Sequence, residues 1–154
     1  MENFQIFYQI REIHGTIAPL TFGLVIISDL YGFLWIIGKL KFLKLNVLVW
    51  LHRFVFVGLF CLIATGLSML YFNPEFFTNY LFFIKMFFVV VLFINAFRIG
   101  HEMEIPAKKM FKDLTGSQKK KMLLVGATSF ISWVPVLPMH RMFLRLLILK
   151  QAQE

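Results

Sequence analysis

Charged residues along this chain gather into a few short breaks, and the stretches between them are apolar on every side. Neither the two-residue alternation of a half-buried strand nor the narrow stripe of an amphipathic helix is sustained. Four apolar stretches, at about 15–37, 45–71, 80–100 and 122–138, approach or exceed the roughly 20 residues that a helix needs to cross a bilayer. Helices are the expected form, because backbone groups in lipid must find partners within their own segment. A barrel would need many alternating segments of about ten residues, and the chain has none. The pattern predicts an all-α fold. It is a single integral membrane domain over residues 1–154, folded as an antiparallel bundle of four transmembrane helices.

Composition agrees. Hydrophobic residues make up 59% of the chain and charged residues 16%, with 20 phenylalanines. Soluble domains carry about a quarter charged residues, and a core of this size could not hide so much apolar surface from water. The bilayer is therefore the first expected partner. The lone Cys61 falls in an apolar run and reads as a packing residue.

The formal charge of +8 does not point to nucleic acid, because the basic residues cluster in the breaks. Lys39, Lys41 and Lys44 lie between the first two spans. Lys108, Lys109, Lys112, Lys119, Lys120 and Lys121 lie between the third and fourth. The break around Glu75 has no basic residue. The positive-inside rule puts the two lysine-rich loops in the cytoplasm and both termini outside. Arg141, Arg145 and Lys150 then fall on the outer side, where their spacing fits an amphipathic helix lying on the membrane surface. No cleavable signal peptide is expected at the start of the chain. The "DLTGSQKKK" segment reads as a helix start or a turn. Gly58, Gly66, Gly126, Ala127 and Ser129 are candidates for close helix contacts.

Ionisable groups inside or at the edge of a span are functional candidates by default. "VLVWLHRFVFVGLF" sets His52 and Arg53 side by side in an apolar run. The four histidines fall one to each span or its edge: His14 and His140 at the outer level, His52 and His101 at the inner level. Each has an arginine within three residues: Arg11, Arg53, Arg98 and Arg141. Imidazole ligates haem iron, and arginine pairs with carboxylates such as haem propionates. The set could hold b-type haem at one or both levels. Alternatively the histidines cap helix ends, where such groups snorkel to headgroups.

Asp29 lies about 20 Å along its helix from His14, at about 1.5 Å per residue. It is too deep to snorkel, so it should either be protonated or meet a cation from another helix; an ion pair with Arg53 or Arg98, on a side facing the bundle interior, is expected. Lys85, one turn into the third span, either snorkels past Tyr80 or meets a ligand at the level of His14. Pro135 and Pro138 should break or kink the last helix beside His140.

Two of these segments, "REIHGTIAPLTFGLVIISD" and "FFIKMFFVVVLFINAFRIGHEMEIP", resemble a group of small uncharacterised integral membrane proteins of bacteria. That group is distantly similar to the four-helix domains of CopD-type copper-resistance proteins and to HemJ-type protoporphyrinogen oxidase. The resemblance covers about residues 10–132. It implies a multi-pass protein of the bacterial inner membrane. It also implies that His14 on the first helix and Lys85 on the third matter for haem binding. The first and last helices depart from the HemJ pattern at "SDLYGFLW" and "SWVPVLPMH", which separates this chain from protoporphyrinogen oxidation.

Three functions follow from these readings. One is haem-based membrane redox chemistry, with His14, Lys85, His140, His52, His101, Arg53 and Arg98 as cofactor-binding candidates. The second is copper or other metal handling at an outer site of His14 and His140. The third is a small subunit or scaffold of a larger membrane complex or homo-oligomer, with no cofactor. No nucleophile triad or phosphate loop is present in the sequence.

Overall fold

A computed structural model describes residues 2–74 and 78–151, with side chains for residues 5–74 and 78–133. The described residues are helical and contain no strand. α1 spans Glu2–Ile36, α2 Leu45–Phe72, α3 Tyr80–Glu102, the short α4 Glu104–Lys108, and α5 Gly116–Gln151, with a 3₁₀ turn at Phe111–Asp113 before α5. Three segments, Gln5–Ile36, Leu45–Phe72 and Tyr80–Lys108, are long and apolar enough to cross a membrane. They mark the chain as a membrane protein. Large apolar side chains also cover the outside of the fold, Phe60, Phe87 and Phe130 among them, as expected when the surrounding solvent is lipid.

Local chemistry sets the helix ends. α1 stops at Gly38, whose φ of 77° suits a residue without a Cβ. Around it the N–H of Leu40 reaches back to the carbonyl of Leu34, and that of Gly38 to Trp35, satisfying carbonyls that the helix end would leave open. The Asn79 side chain caps α3 by accepting from the Leu81 N–H at 3.0 Å. Thr115 and Gln118 form a reciprocal capping box at the start of α5: each side chain accepts from the other's backbone N–H. The "DLTGSQ" segment is therefore a helix start. α5 then continues as one helix through Pro135 and Pro138 to Gln151, where a break or a separate surface helix was expected. Each proline removes one backbone donor, and membrane helices accommodate that loss. The side chains of this stretch lie outside the described residues.

α1 packs most extensively on α2, and α3 on α5, with lighter contacts between α2 and α3 and between α1 and α5. The tightest crossing is at Gly58, where an added Cβ would lie 2.8 Å from Thr21 Cγ2 and 3.0 Å from Thr21 Cβ, and closer still to Oγ1. Of the small residues singled out in the sequence, Gly58 and Gly66 approach α1 and Ser129 is buried. Gly126 has no such neighbour, and Ala127 is exposed.

Three apolar clusters stack along the bundle. The central one holds Val25, Leu59, Leu92, Ala96 and Trp133, with Phe22, Leu62 and Phe88 against it. A second, toward the N-terminus of α1, holds Phe7 and Met69 with Ile10 and Phe82. The third joins Trp35, Leu43 and Leu114 beneath the two lysine-rich connections. There the Trp35 indole donates to the Lys109 carbonyl at 3.0 Å, and the Leu43 N–H to the Pro106 carbonyl at 3.0 Å. The two lysine-rich connections therefore lie at one end of the fold, fastened to each other.

Candidate functional site

Between the central cluster and the one toward the N-terminus of α1 lies a layer with polar members from three helices. On α1, His14 stands one turn past Ile10. On α2, Thr65 stands between Leu62 and Met69. On α3, Lys85 stands midway between Phe82 and Phe88. His14 is buried, with 6% of its surface exposed. Its Nδ1 lies 2.7 Å from Thr65 Oγ1, which in turn donates to the Cys61 carbonyl at 2.7 Å. With the hydroxyl proton of Thr65 on that carbonyl, the neutral tautomer that fits is the one whose Nδ1–H donates to the hydroxyl. Gly66 lies against the same ring, where a Cβ would come 3.7 Å from Cε1. Lys85 is partly buried, and no carboxylate pairs with it among the described residues.

The inner histidines are arranged differently. His52 packs its ring on Gly100 of α3, where an added Cβ would lie 3.1 Å from Nε2. Phe56 extends that contact to Phe93 and Phe97. His101 is exposed. The two do not form a facing pair. Arg53 and Arg98 are also exposed, and Arg53 lies over the Trp50 ring at 5.8 Å.

Asp29 lies beside Ser129 of α5. The ion pairs among the described residues are Lys108–Glu104 and Lys121–Glu102, so the expected pairing of Asp29 with Arg53 or Arg98 is replaced by a neutral partner on another helix. The reason is rotational: both arginines turn outward, where their guanidinium groups stay solvated or near headgroups. The His140 side chain, and with it the outer His14–His140 metal site, lies outside the described residues. Among the described residues no three His, Cys, Asp or Glu side chains gather as a metal site.

Neither the family models nor the curated proteins nor the solved structures match this chain.

Several polar residues that hold the bundle were not singled out by charge. Asn95, 4% exposed, donates from Nδ2 to the Val125 carbonyl at 3.0 Å and so ties α3 to α5. Ser132 is buried on the same helix as Ser129. The Trp133 indole N–H is buried in the centre and has no hydrogen-bond partner among the described residues. Neutral amides and hydroxyls in an apolar run are visible in sequence, but only the facing of the helices separates a clamp from a surface residue.

Proposed function

We propose that this chain is a four-span, antiparallel helical membrane protein that binds b-type haem at its outer layer for redox chemistry. The antiparallel reading is supported by paired contacts. His14 meets Thr65 and Thr21 meets Gly58, and the Lys44 N–H bonds the Tyr31 hydroxyl at 3.0 Å, so α2 descends as α1 ascends. Asn95 with Val125 and Glu102 with Lys121 give the same sense to α3 and α5. By the positive-inside rule the fastened lysine-rich end is cytoplasmic and the His14 layer is outer.

The observation that carries the haem reading is the setting of His14. A histidine that ligates a metal commonly donates its second ring N–H to a fixed acceptor, which sets the tautomer and ring orientation. Thr65 provides that acceptor, so Nε2 would be the ligating nitrogen. Lys85, in the same layer, would offer its ammonium to a propionate. Apolar side chains above and below, from Phe82 and Met69 to Phe22 and Phe88, would exclude water from the site. Bound haem would supply one-electron chemistry. The resemblance to HemJ-type proteins singles out the same two positions, His14 and Lys85, and the departures at the first and last helices set protoporphyrinogen oxidation aside. His52 and His101 do not support a second haem, because the His52 ring is packed on Gly100.

The test is the visible spectrum of the purified protein, oxidised and reduced, after expression with haem supplementation. The parent should show a Soret band and reducible α bands. His14→Ala should lose them and His52→Ala should keep them. Haem that survives His14→Ala but not His52→Ala would move the site to the other end. A parent that carries no haem would leave the scaffold reading as the better one.

A further inference from the structure

We infer that Arg53, Arg98 and His101 form a binding site for the phosphodiester headgroup of an anionic phospholipid, on the outer face of the α2–α3 seam near the fastened end. The register of this seam is set by His52 on Gly100 and by Phe56 against Phe97 and Phe93. These pairs climb one helix as they descend the other. A step of one residue turns a helix by about 100°. Arg53 follows His52 and His101 follows Gly100, so each turns away from the buried seam by one step, and in helices of opposite sense the two steps go to the same side. Both residues are exposed there, and so is Arg98, about a turn along α3 from His101. The three cationic or donor side chains thus share one end of one seam.

None of them has an anion to meet among the described residues. Among the described residues the ion pairs are Lys108–Glu104 and Lys121–Glu102, and neither arginine takes part. The surroundings are apolar and outward-facing: Trp50, Val57, Ile94 and Phe97 are each more than half exposed. A guanidinium in such a belt is satisfied best by an anion that brings its own hydrocarbon, because the phosphate can accept paired N–H bonds while the acyl chains cover the aromatic surface. Trp50 stacked under Arg53 fits the headgroup level, where indoles concentrate. Basic pockets between helices at the cytoplasmic side of membrane proteins take lipid headgroups of this kind. The cap lysines differ from this set: Lys108 and Lys121 already hold carboxylates.

The experiment uses the full chain in micelles doped with equal amounts of phosphatidylglycerol and phosphatidylcholine, with bound lipid counted by native mass spectrometry. The parent should retain phosphatidylglycerol at least tenfold over phosphatidylcholine. Arg53→Gln with Arg98→Gln should remove that preference, while Lys39→Gln with Lys112→Gln, which removes the same charge from the cap, should keep it. Arg53→Lys with Arg98→Lys retains charge but not the paired geometry, and should lose most of the preference. Equal retention of the two lipids by the parent would overturn the site, whatever the variants do. An equal loss in the arginine and cap-lysine variants would overturn it in favour of diffuse attraction to the basic end. Displacement of phosphatidylglycerol by millimolar inorganic phosphate would also overturn it, since the acyl chains would then add nothing.

Discussion

Gly58→Ala should destabilise the bundle even though alanine is the better helix former. The added methyl would meet Thr21 at three atoms, with Cγ2 at 2.8 Å and Cβ at 3.0 Å. Rotating Thr21 does not relieve the contact with its Cβ. Its hydroxyl is also tied to the Ile17 carbonyl at 2.9 Å, and the residue is 2% exposed, so it has nowhere to go. Overpacking of a tight core costs about 1–3 kcal/mol, and this site belongs at the upper end because backbone must move. Replacing glycine within a helix returns up to about 1 kcal/mol. The net loss is then about 1–2 kcal/mol, a shift of roughly five- to thirtyfold in the unfolding equilibrium. The assay is equilibrium unfolding in mixed micelles with increasing denaturing detergent, followed by helix circular dichroism. Gly23→Ala on α1 is the control: nothing lies within 4 Å of its added Cβ, so it should be neutral or stabilising. Thr21→Gly placed in the Gly58→Ala background removes all three clashing atoms and should recover most of the loss. If Gly58→Ala unfolds at the same point as Gly23→Ala, the close crossing of α1 and α2 is not where the structure puts it.

Two further outcomes bear on the clamps. Trp35→Phe should lower stability by about 1–2 kcal/mol, since it removes the donor to the Lys109 carbonyl and part of a packed ring. Hydrogen exchange should show it as faster opening at the Leu43 amide, which bonds across the same cap, and unchanged protection there would refute the link. Asn95→Ala should weaken the α3–α5 contact by about 0.5–2 kcal/mol, the range for an interhelical hydrogen bond in a bilayer with some lost packing. A loss no greater than that of an exposed alanine substitution such as Ile94→Ala would show that the Val125 bond contributes nothing.

The helices were legible because length and apolarity are properties of a single segment. The end of α1 and the bounds of α2 and α3 fall close to the breaks in hydropathy, whereas α1 begins at Glu2, well before the apolar stretch expected from about residue 15, and Gly38, Asn79 and Thr115 act where their backbone chemistry allows. What a segment does to its neighbour was harder to read. Asp29 was expected to pair with Arg53 or Arg98 but lies beside Ser129, because the partner depends on which face α5 presents. His52 and Arg53 differ by one residue and about 100°: one is packed on Gly100 and the other is exposed. Depth along a helix can be counted from sequence, whereas rotation about its axis is settled only by the tightest contacts, here Gly58 on Thr21 and Gly100 on His52.

The unequal packing of the four long helices also bears on how the protein is made. α1 and α2 are neighbours in sequence and share extensive contacts, as do α3 and α5, while the surfaces joining the two pairs are lighter. Synthesis proceeds from the N-terminus, so the Thr21–Gly58 crossing can close while α3 and α5 are still on the ribosome. Residues 106–109 also emerge before α5, so the Pro106 and Lys109 carbonyls can meet Leu43 and Trp35 and hold α3 to the first pair while the last helix is still unmade. α5 then closes on α3 through Asn95 and Glu102. Assembly of this chain is in that sense sequential: a finished hairpin, a latch, and a last helix laid onto α3.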